Sequence, residues 1–296
     1  MLKTAKQWPN LFVVGAAKAG TTSLYHYLSQ HPDIYMSPIK EPHFFSDISP
    51  AERYMALSGC VNIQDAKTYL GLFERRRQHS IVGEASPSYL WDEQAPAKIQ
   101  QVSPNAKIVI MLREPTSRAY SHYLNEVRAG LEKRPFLEAL QADLASRETG
   151  WGVSPLYVAL GQYSQQVQRY LDRFEAVHVV FFEEFIKDVE GHLRQLFEFL
   201  AVDPAWAAEI ELEAQNGYAI ATGPLGKFLI GTPWVRQLAR QLMAQQWRGQ
   251  LKQLVLKKAP KPQMDEQARA LLKEIYQSEL EQLPQLLGRE LPWQIS

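Results

Sequence analysis

The residues from Phe12 to Leu28, FVVGAAKAGTTSLYHYL, read as an apolar strand, a glycine-containing turn and a helix. Gly20 allows the backbone to approach a ligand closely, and Lys18 adds a positive charge from the turn. Three hydroxyl side chains follow in the first helical turn: Thr21, Thr22 and Ser23. Because the free N–H groups of a helix N-terminus attract anions, the pattern G-x-x-K-x-G-T-T predicts a phosphate-binding loop.

This loop differs from that of nucleoside-triphosphate enzymes, G-x-x-x-x-G-K-[ST], in which the lysine follows the second glycine. Here Thr21 follows Gly20, and Lys18 lies two residues before it. No apolar run in the sequence ends in the Asp that would hold Mg²⁺ near the loop. We therefore predict an anion site that needs no metal. A plain strand–turn–helix connection with a surface lysine is the alternative.

A second set of anion-binding side chains follows the most apolar strand of the sequence, 107–112 (KIVIML). Arg113 comes at the C-terminal end of this strand, where α/β sheets place ligands, and Ser121 lies about two turns into the next helix. A guanidinium can fork onto a phosphate, and a hydroxyl can donate to it. Two sites at two strand ends imply a nucleoside with phosphates at both ends. Arg118, between them, is interpreted as a surface charge.

The elements that must position these residues alternate along the chain. Strands are predicted at 11–14, 81–82, 107–112 and 177–182, with a turn at 84–87. Helices are predicted at 22–30, 93–102, 117–128, 164–174, 189–200 and 265–283. This alternation predicts an α/β fold: a single P-loop-like domain over residues 1–296, with a central parallel sheet and helices on both faces. The less regular segment 201–262 is interpreted as a lid or an acceptor-facing part of that domain.

The bulk composition argues against several function classes. Lys plus Arg and Asp plus Glu both number 32, so the chain has no net charge that would favour nucleic acid. No stretch approaches the ~18 apolar residues of a membrane span, and the N-terminus lacks the apolar core of a signal peptide. The single cysteine, Cys60, excludes an intramolecular disulfide. We therefore expect a soluble, cytoplasmic protein without nucleic-acid partners.

Two ordered segments of the chain resemble a known family. GAAKAGTTSLYHYL and LREPTSRAYSHY, with KEPHFF between them, resemble the sulfotransferases that use 3′-phosphoadenosine 5′-phosphosulfate (PAPS) as donor. The likeness is to the branch with heparan-sulfate sulfotransferases and their bacterial relatives. Further similar segments are GEASPSY, GQY and KKAPKPQMD, so the resemblance covers most of residues 10–293. It implies a sulfotransferase that moves a sulfuryl group to an acceptor hydroxyl or amine.

The resemblance also implies which residues bind the donor. Arg113 and Ser121 would hold the 3′-phosphate. Lys257, with Lys258 as the alternative in register, matches a lysine in the late loop that closes over the donor. The residues that would hold the 5′-phosphosulfate are Lys18, Ala19, Gly20, Thr21, Thr22 and Ser23.

Glu41, in KEPHFF, matches the general base of the family, and Lys18 would stabilise the charge on the leaving group. His43 is the alternative base. In an extended segment, residues two apart share a face, so we expect both Glu41 and His43 to point into the cleft. His122 is interpreted as a structural residue or a minor ligand contact.

The chain departs from the family at Ala85, where the heparan-sulfate enzymes have a lysine that is thought to help at the reacting centre. This difference argues against assuming the same acceptor geometry. Lys40 or the late basic loop is a candidate source of the missing charge. The acceptors that we consider are a sugar hydroxyl or amine, a hydroxyacyl chain on a carrier protein and a small alcohol.

Two other functions remain as alternatives: a P-loop kinase or NTPase, and a non-catalytic relative that binds nucleotides. Within 201–262, an apolar group is a candidate for lining a hydrophobic acceptor site or an interface, with core packing as the alternative. Its members are Phe228, Leu229, Ile230, Trp234, Val235 and Leu238.

Overall fold

A five-stranded parallel sheet lies at the centre of the fold, in the order β2-β3-β1-β4-β5. The computed structural model describes residues 8–47, 62–147, 150–151, 155–212, 219–221, 256–258 and 261–293. The strands are β1 (Leu11–Gly15), β2 (Ile34–Met36), β3 (Ile81–Ala85), β4 (Lys107–Leu112) and β5 (Val177–Phe181).

The central strands consist of apolar runs because they are covered on both faces. Every residue of β1 and β3 is buried, and so is every residue of β4 after Lys107. Parallel strands that are buried on both faces need such runs. The connection from β1 to β2 crosses the sheet in one direction, and those from β3 to β4 and from β4 to β5 cross it in the other. Because crossover connections are right-handed, the connecting helices lie on opposite faces of the sheet. The predicted α/β fold with a central parallel sheet is confirmed.

The helices surround this sheet. They are α1 (Thr21–Leu28), α2 (Ala66–Gly71), α3 (Ser88–Trp91), α4 (Ala95–Val102), α5 (Pro115–Ala129), α6 (Phe136–Ala145), α7 (Tyr163–Leu171), α8 (Phe182–Phe185), α9 (Val189–Leu200) and α10 (Glu266–Leu287). Short 3₁₀ turns occur at Ala159–Gly161 and Pro204–Glu209. A separate antiparallel pair joins β6 (Ala219–Ala221) to β7 (Leu256–Lys258).

The predicted turn at 84–87 is wrong in its first half, because β3 continues to Ala85. Phe12 pairs with Glu84, and Val13 pairs with Ala85. Pairing with the central strand outweighs the local turn preference of these residues, since the stability of a strand depends mainly on its neighbours.

The interpretation of Arg118 as a surface charge is also wrong. Its side chain is fully buried, and its Nη2 donates to the carbonyl of Tyr157. The same carbonyl accepts from the hydroxyl of Tyr276 at 3.2 Å. Arg118 therefore helps to join α5, the segment before the first 3₁₀ turn, and α10. The sequence around α5 could not show this because α10 lies far along the chain.

Parts of the sequence interpretation lie outside the described residues. Cys60 and the six apolar residues of 201–262 are among them, and only 201–212, 219–221, 256–258 and 261–262 of that segment are described. The lid role of 201–262 and the single-domain organisation therefore stay predictions.

Gly83 provides a test of the packing between β3 and its neighbours. An added Cβ would lie 3.0 Å from Leu11 Cβ and 2.9 Å from Met36 Sδ, so one of them would have to shift. We expect Gly83→Ala to lower the free energy of unfolding by about 1–3 kcal/mol, as overpacking in cores does. Denaturant titration measures this. Gly71→Ala is the control, since no atom of the described ranges lies within 4 Å of the new methyl group. Equal destabilisation by both would contradict the prediction.

Candidate anion-binding site at the carboxyl edge of the sheet

The loop between β1 and α1 is bent so that the first turn of α1 remains open. Lys18 and Gly20 both have positive φ angles, 67° and 102°. Gly20 is the N-cap of α1, and no side chain of the described residues caps this helix end. An added Cβ on Gly20 would lie 2.9 Å from Phe182 Cδ2, so only glycine fits without a shift. The N–H groups of the first turn therefore lack side-chain partners and can donate to an anion.

Lys18 is partly buried and lies in a mixed electrostatic environment. Desolvation and repulsion by Arg128 lower its pKa to about 8, although Glu41 and Glu126 attract its charge. An anion bound beside the ammonium would raise this pKa, because an opposite charge favours the protonated form. Lys18 is therefore suited to a ligand that brings its own negative charge.

Arg113 connects the end of β4 to the same loop. Its Nη1 donates to the carbonyl of Lys18 at 3.2 Å, and its guanidinium lies 4.7 Å from the ring centroid of Phe182. Its Nε is buried without a hydrogen-bond partner among the described residues. The hydroxyl of Tyr163 donates to the Arg113 carbonyl at 2.9 Å, which fixes the backbone. Among the described residues, the Nε–H group of Arg113 therefore remains available to donate to a ligand.

Ser121 lies on α5 and is partly exposed. The N-terminus of α5 is already occupied, because the Glu114 carboxylate accepts from the N–H groups of Thr116 and Ser117 at 2.8 and 2.6 Å. An anion near Arg113 must therefore be held by side chains and not by the end of this helix. His122 is buried, and desolvation together with repulsion by Arg118 lowers its pKa well below the ordinary value.

Glu41 and His43 come together, but not through the extended segment that the sequence predicts. Both have positive φ angles, 62° and 54°, so the prediction of an extended backbone is wrong. Their side chains still converge, with His43 Nε2 3.8 Å from Glu41 Oε2. Two hydrogen bonds to the end of β3 hold this bend: Glu41 N to Ala85 O at 3.0 Å and His43 N to Ser86 Oγ at 3.2 Å.

The two side chains differ in charge at neutral pH. Burial by itself would raise the pKa of Glu41, but Lys40, His43 and Lys18 outweigh it and hold the pKa below its ordinary value. The Lys40 ammonium forms an ion pair with the Glu41 carboxylate. Burial lowers the pKa of His43 to about 4. Glu41 is therefore ionised and His43 neutral at pH 7.

A buried hydrogen-bond network supports the Glu41–His43 pair, and no motif in the sequence indicates it. Glu84 is fully buried and accepts from Tyr69 and Tyr89 hydroxyls at 2.9 and 2.6 Å. Ser86 donates to the other Glu84 oxygen at 2.7 Å and accepts from His43 N. Burial raises the pKa of Glu84 to about 7. The signal in the sequence was GEASPSY, which resembles a family segment but indicates no role for Glu84.

Ala85 and the late lysines complete the set of predicted residues. Ala85 is fully buried at the end of β3, and its methyl group supplies no charge. The cation that forms an ion pair with Glu41 is Lys40. Lys257 and Lys258 lie in β7, opposite Ile220 and Ala219 of β6. The positions of their side chains lie outside the described part of the chain.

Over the described residues, no group of three or more His, Cys, Asp or Glu side chains is arranged to hold a metal ion. None of the helices in the described ranges is long and apolar enough to cross a membrane. The expectation that the site needs no metal rests on the chemistry of the loop and stays a prediction.

Comparison with known proteins identifies the family. The model of the sulfotransferase domain matches residues 9–284. The chain belongs to the sulfotransferase family. A solved sulfotransferase from Alicyclobacillus acidocaldarius is 32% identical, with a TM-score of 0.72 over 96% of this chain and 97% of that protein. The resemblance that the sequence motifs indicate is therefore confirmed.

Curated relatives are more distant and longer. Heparan sulfate glucosamine 3-O-sulfotransferase 6 of Mus musculus is 29% identical over 204 residues, covering 67% of this chain and 53% of that protein. Carbohydrate sulfotransferase 15 of Homo sapiens is 26% identical over 247 residues, covering 66% and 44%. The chain thus spans about half the length of the curated relatives that it matches.

The lowered pKa of Lys18 predicts how anion binding depends on pH. Adenosine 5′-monophosphate is a suitable probe, because its phosphate is a dianion well above pH 6. We expect its affinity to fall by up to about tenfold per pH unit above pH 8, as Lys18 loses its proton. Calorimetric titration at several pH values measures this. In Lys18→Arg the side chain stays charged, so the decline should be absent. The same decline in both proteins would contradict the prediction.

Proposed function

We propose that this sulfotransferase-family protein transfers a sulfuryl group from PAPS to an acceptor hydroxyl or amine. The observation that carries the proposal is the pair of linked anion sites: the open first turn of α1 and Arg113, joined by the hydrogen bond to the Lys18 carbonyl. PAPS bears anionic groups on both sides of its nucleoside, so it matches two sites of this kind.

The residues divide between the two ends of the donor. We assign the 3′-phosphate to Arg113 and Ser121, and we keep Lys257 and Lys258 as residues that would cover the donor. The unpartnered Nε of Arg113 supports this assignment, because buried donors normally have partners. The residues assigned to the 5′-phosphosulfate are Lys18, Ala19, Gly20, Thr21, Thr22 and Ser23.

Lys18 is assigned to the leaving group. Sulfuryl transfer requires in-line geometry and stabilisation of the negative charge that develops on the departing nucleotide. The sulfuryl group carries less charge than a terminal phosphoryl group, so an ammonium can serve where phosphoryl transfer uses Mg²⁺. Lys18 has the position for this role, at the turn before α1, and the bound donor would keep it protonated.

Glu41 is assigned as the general base. Its carboxylate is ionised throughout the neutral range and lies at the same sheet edge as Lys18, whose charge it attracts. His43 stays the alternative. If Ser88 donates to His43 Nδ1, 2.6 Å away, then Nε2 carries the proton. In that tautomer the ring nitrogen on the Glu41 side, 3.8 Å from Oε2, is protonated, so it cannot act as the base.

The acceptor is assigned only by class. Trp151 lies 5.9 Å from the His43 ring and packs, with Trp91, against Ala17 and Leu156. These partly buried tryptophans support an acceptor with an apolar or amphipathic face, such as a sugar ring. A hydroxyacyl chain on a carrier protein and a small alcohol remain the alternatives, and a screen with ³⁵S-labelled PAPS distinguishes them.

We propose that the Lys40 ammonium, paired with Glu41, supplies the positive charge that Ala85 lacks. The cytoplasmic location stays a prediction.

Calorimetry tests the donor. We expect adenosine 3′,5′-bisphosphate to bind without added metal and more tightly than ATP with Mg²⁺, since the second site recognises a 3′-phosphate. Tighter binding of ATP with Mg²⁺ would favour the kinase or NTPase alternative. Binding of the bisphosphate without transfer to any acceptor in the screen would favour a non-catalytic relative.

Glu41→Gln tests the base. We expect kcat to fall by about 10²–10⁴-fold while the dissociation constant of adenosine 3′,5′-bisphosphate stays unchanged, because a base acts on the acceptor and not on the donor. Turnover is measured with the acceptor found in the screen. Glu198→Gln, at an exposed carboxylate on α9, is the control. Normal turnover in Glu41→Gln would show that Glu41 is not the general base and would favour His43 instead.

A further inference from the structure

Glu126 is a buried carboxyl group on α5 that the sequence motifs do not single out. Its side chain is 5% exposed, and the side chain of Asn125 is hydrogen-bonded to it. Nε2 of His122, one turn earlier, lies 3.7 Å from Glu126 Oε1, and this imidazole is neutral at pH 7. Among the described residues, no lysine or arginine forms an ion pair with Glu126. A carboxylate buried in this way needs an opposite charge elsewhere in the site.

Packing places Glu126 beside the loop after β1. Ala17 of this loop packs with Leu156 in one apolar cluster. The next residue of that segment, Tyr157, has its ring 5.4 Å from the ring of His122. The loop after β1 therefore lies close to the face of α5 that carries His122 and Glu126.

The charges around Lys18, in this loop, come from two elements. Glu41 and Lys40 face it from the segment after β2, and Glu126 and Arg128 face it from α5. Glu41 is paired with Lys40, so part of its charge is already compensated. Arg128 repels the Lys18 ammonium. On the α5 side, Glu126 is the carboxyl group that offsets this repulsion, and Lys18 in turn attracts Glu126.

Glu126 ionises just below the pH at which Lys18 loses its proton. Burial raises the pKa of Glu126 to about 7, with repulsion by Glu132 adding to this effect and attraction by Lys18 opposing it. The pKa of Lys18 is about 8. His122 and Tyr157 stay neutral between these values, because burial lowers the pKa of the first and raises that of the second. The attraction between Glu126 and Lys18 therefore acts mainly above pH 7, where Lys18 begins to lose its proton.

We propose that Glu126 is a positioning residue for Lys18: its carboxylate holds the ammonium from the α5 side, while Glu41 attracts it from the segment after β2. This inference deepens the proposed function and rests on it, because Lys18 is assigned there to the leaving group. An ammonium attracted by two carboxylates stays charged and in place before the donor arrives. When the donor binds, its anionic groups take over this interaction.

Lysine ¹³Cε NMR on the full chain measures the pKa of Lys18 directly, and the signal that is missing in Lys18→Arg assigns it. Glu126→Gln keeps the shape of the side chain and removes its charge, so we expect the pKa of Lys18 to fall by about 0.5–1 pH unit. Glu138→Gln, at an exposed carboxylate on α6, is the matched control and should leave this pKa unchanged. Glu126→Asp keeps the charge and should lower the pKa less than Glu126→Gln does.

Nucleotide binding gives a second readout by calorimetry. The decline in affinity for adenosine 5′-monophosphate should begin about 0.5–1 pH unit lower in Glu126→Gln than in the wild type, because it follows the pKa of Lys18. At pH 6 the two proteins should have affinities within about twofold of each other, since Glu126 of the wild type is mostly protonated there. A merely structural role would weaken binding at every pH and would not move the onset of the decline.

Two results would overturn the role of Glu126: an unchanged pKa of Lys18 in folded Glu126→Gln, or an equal fall in Glu138→Gln. Glu126→Met is a second neutral variant if the glutamine variant does not fold, and thermal melting checks each protein. Failure of the proposed function is a separate outcome, in which the wild type binds adenosine 3′,5′-bisphosphate no better than ATP with Mg²⁺. The pKa comparison needs no nucleotide, so it decides the role of Glu126 in either case.

Discussion

The hydrogen bond from Arg113 to the Lys18 carbonyl is the contact on which the rest of the site depends. It joins the end of β4 to the loop after β1, and these strands are neighbours in the sheet. Phe182 completes the unit, since its ring lies under the Arg113 guanidinium and against Gly20. The spacing between the two anion sites is therefore set by packed, buried elements and not by a surface loop.

A second constraint is the position of the segment that carries Glu41. Glu41 and His43 adopt left-handed conformations, which are costly for residues other than glycine. The end of β3 holds this bend through Ala85, Ser86 and the buried Glu84 carboxyl behind them. Strained backbone thus occurs at the place where a carboxylate faces a lysine, and the hydrogen-bonded Glu84 network beneath it keeps the geometry defined.

The described fold follows closely from sequence patterns where those patterns are local. Continuous apolar runs predicted β1, β4 and β5, and amphipathic spacing predicted α7, α9 and α10. Three-residue β2 was missed because so short a run carries little periodicity. The turn predicted within β3 failed because pairing with β1 decided the conformation of Glu84 and Ala85.

The sequence by itself determined the family and the order of the anion-binding residues along the chain. The loop with Lys18 and Gly20, and the Arg113–Ser121 pair, are recognisable because their residues are neighbours along the chain. Only the tertiary structure decided that Arg118 is buried, that Glu84 supports the Glu41 segment and that Lys261 lies against Tyr120. These facts depend on contacts between distant elements. Burial and the local electric field arise from such contacts, and no spacing along the sequence encodes them.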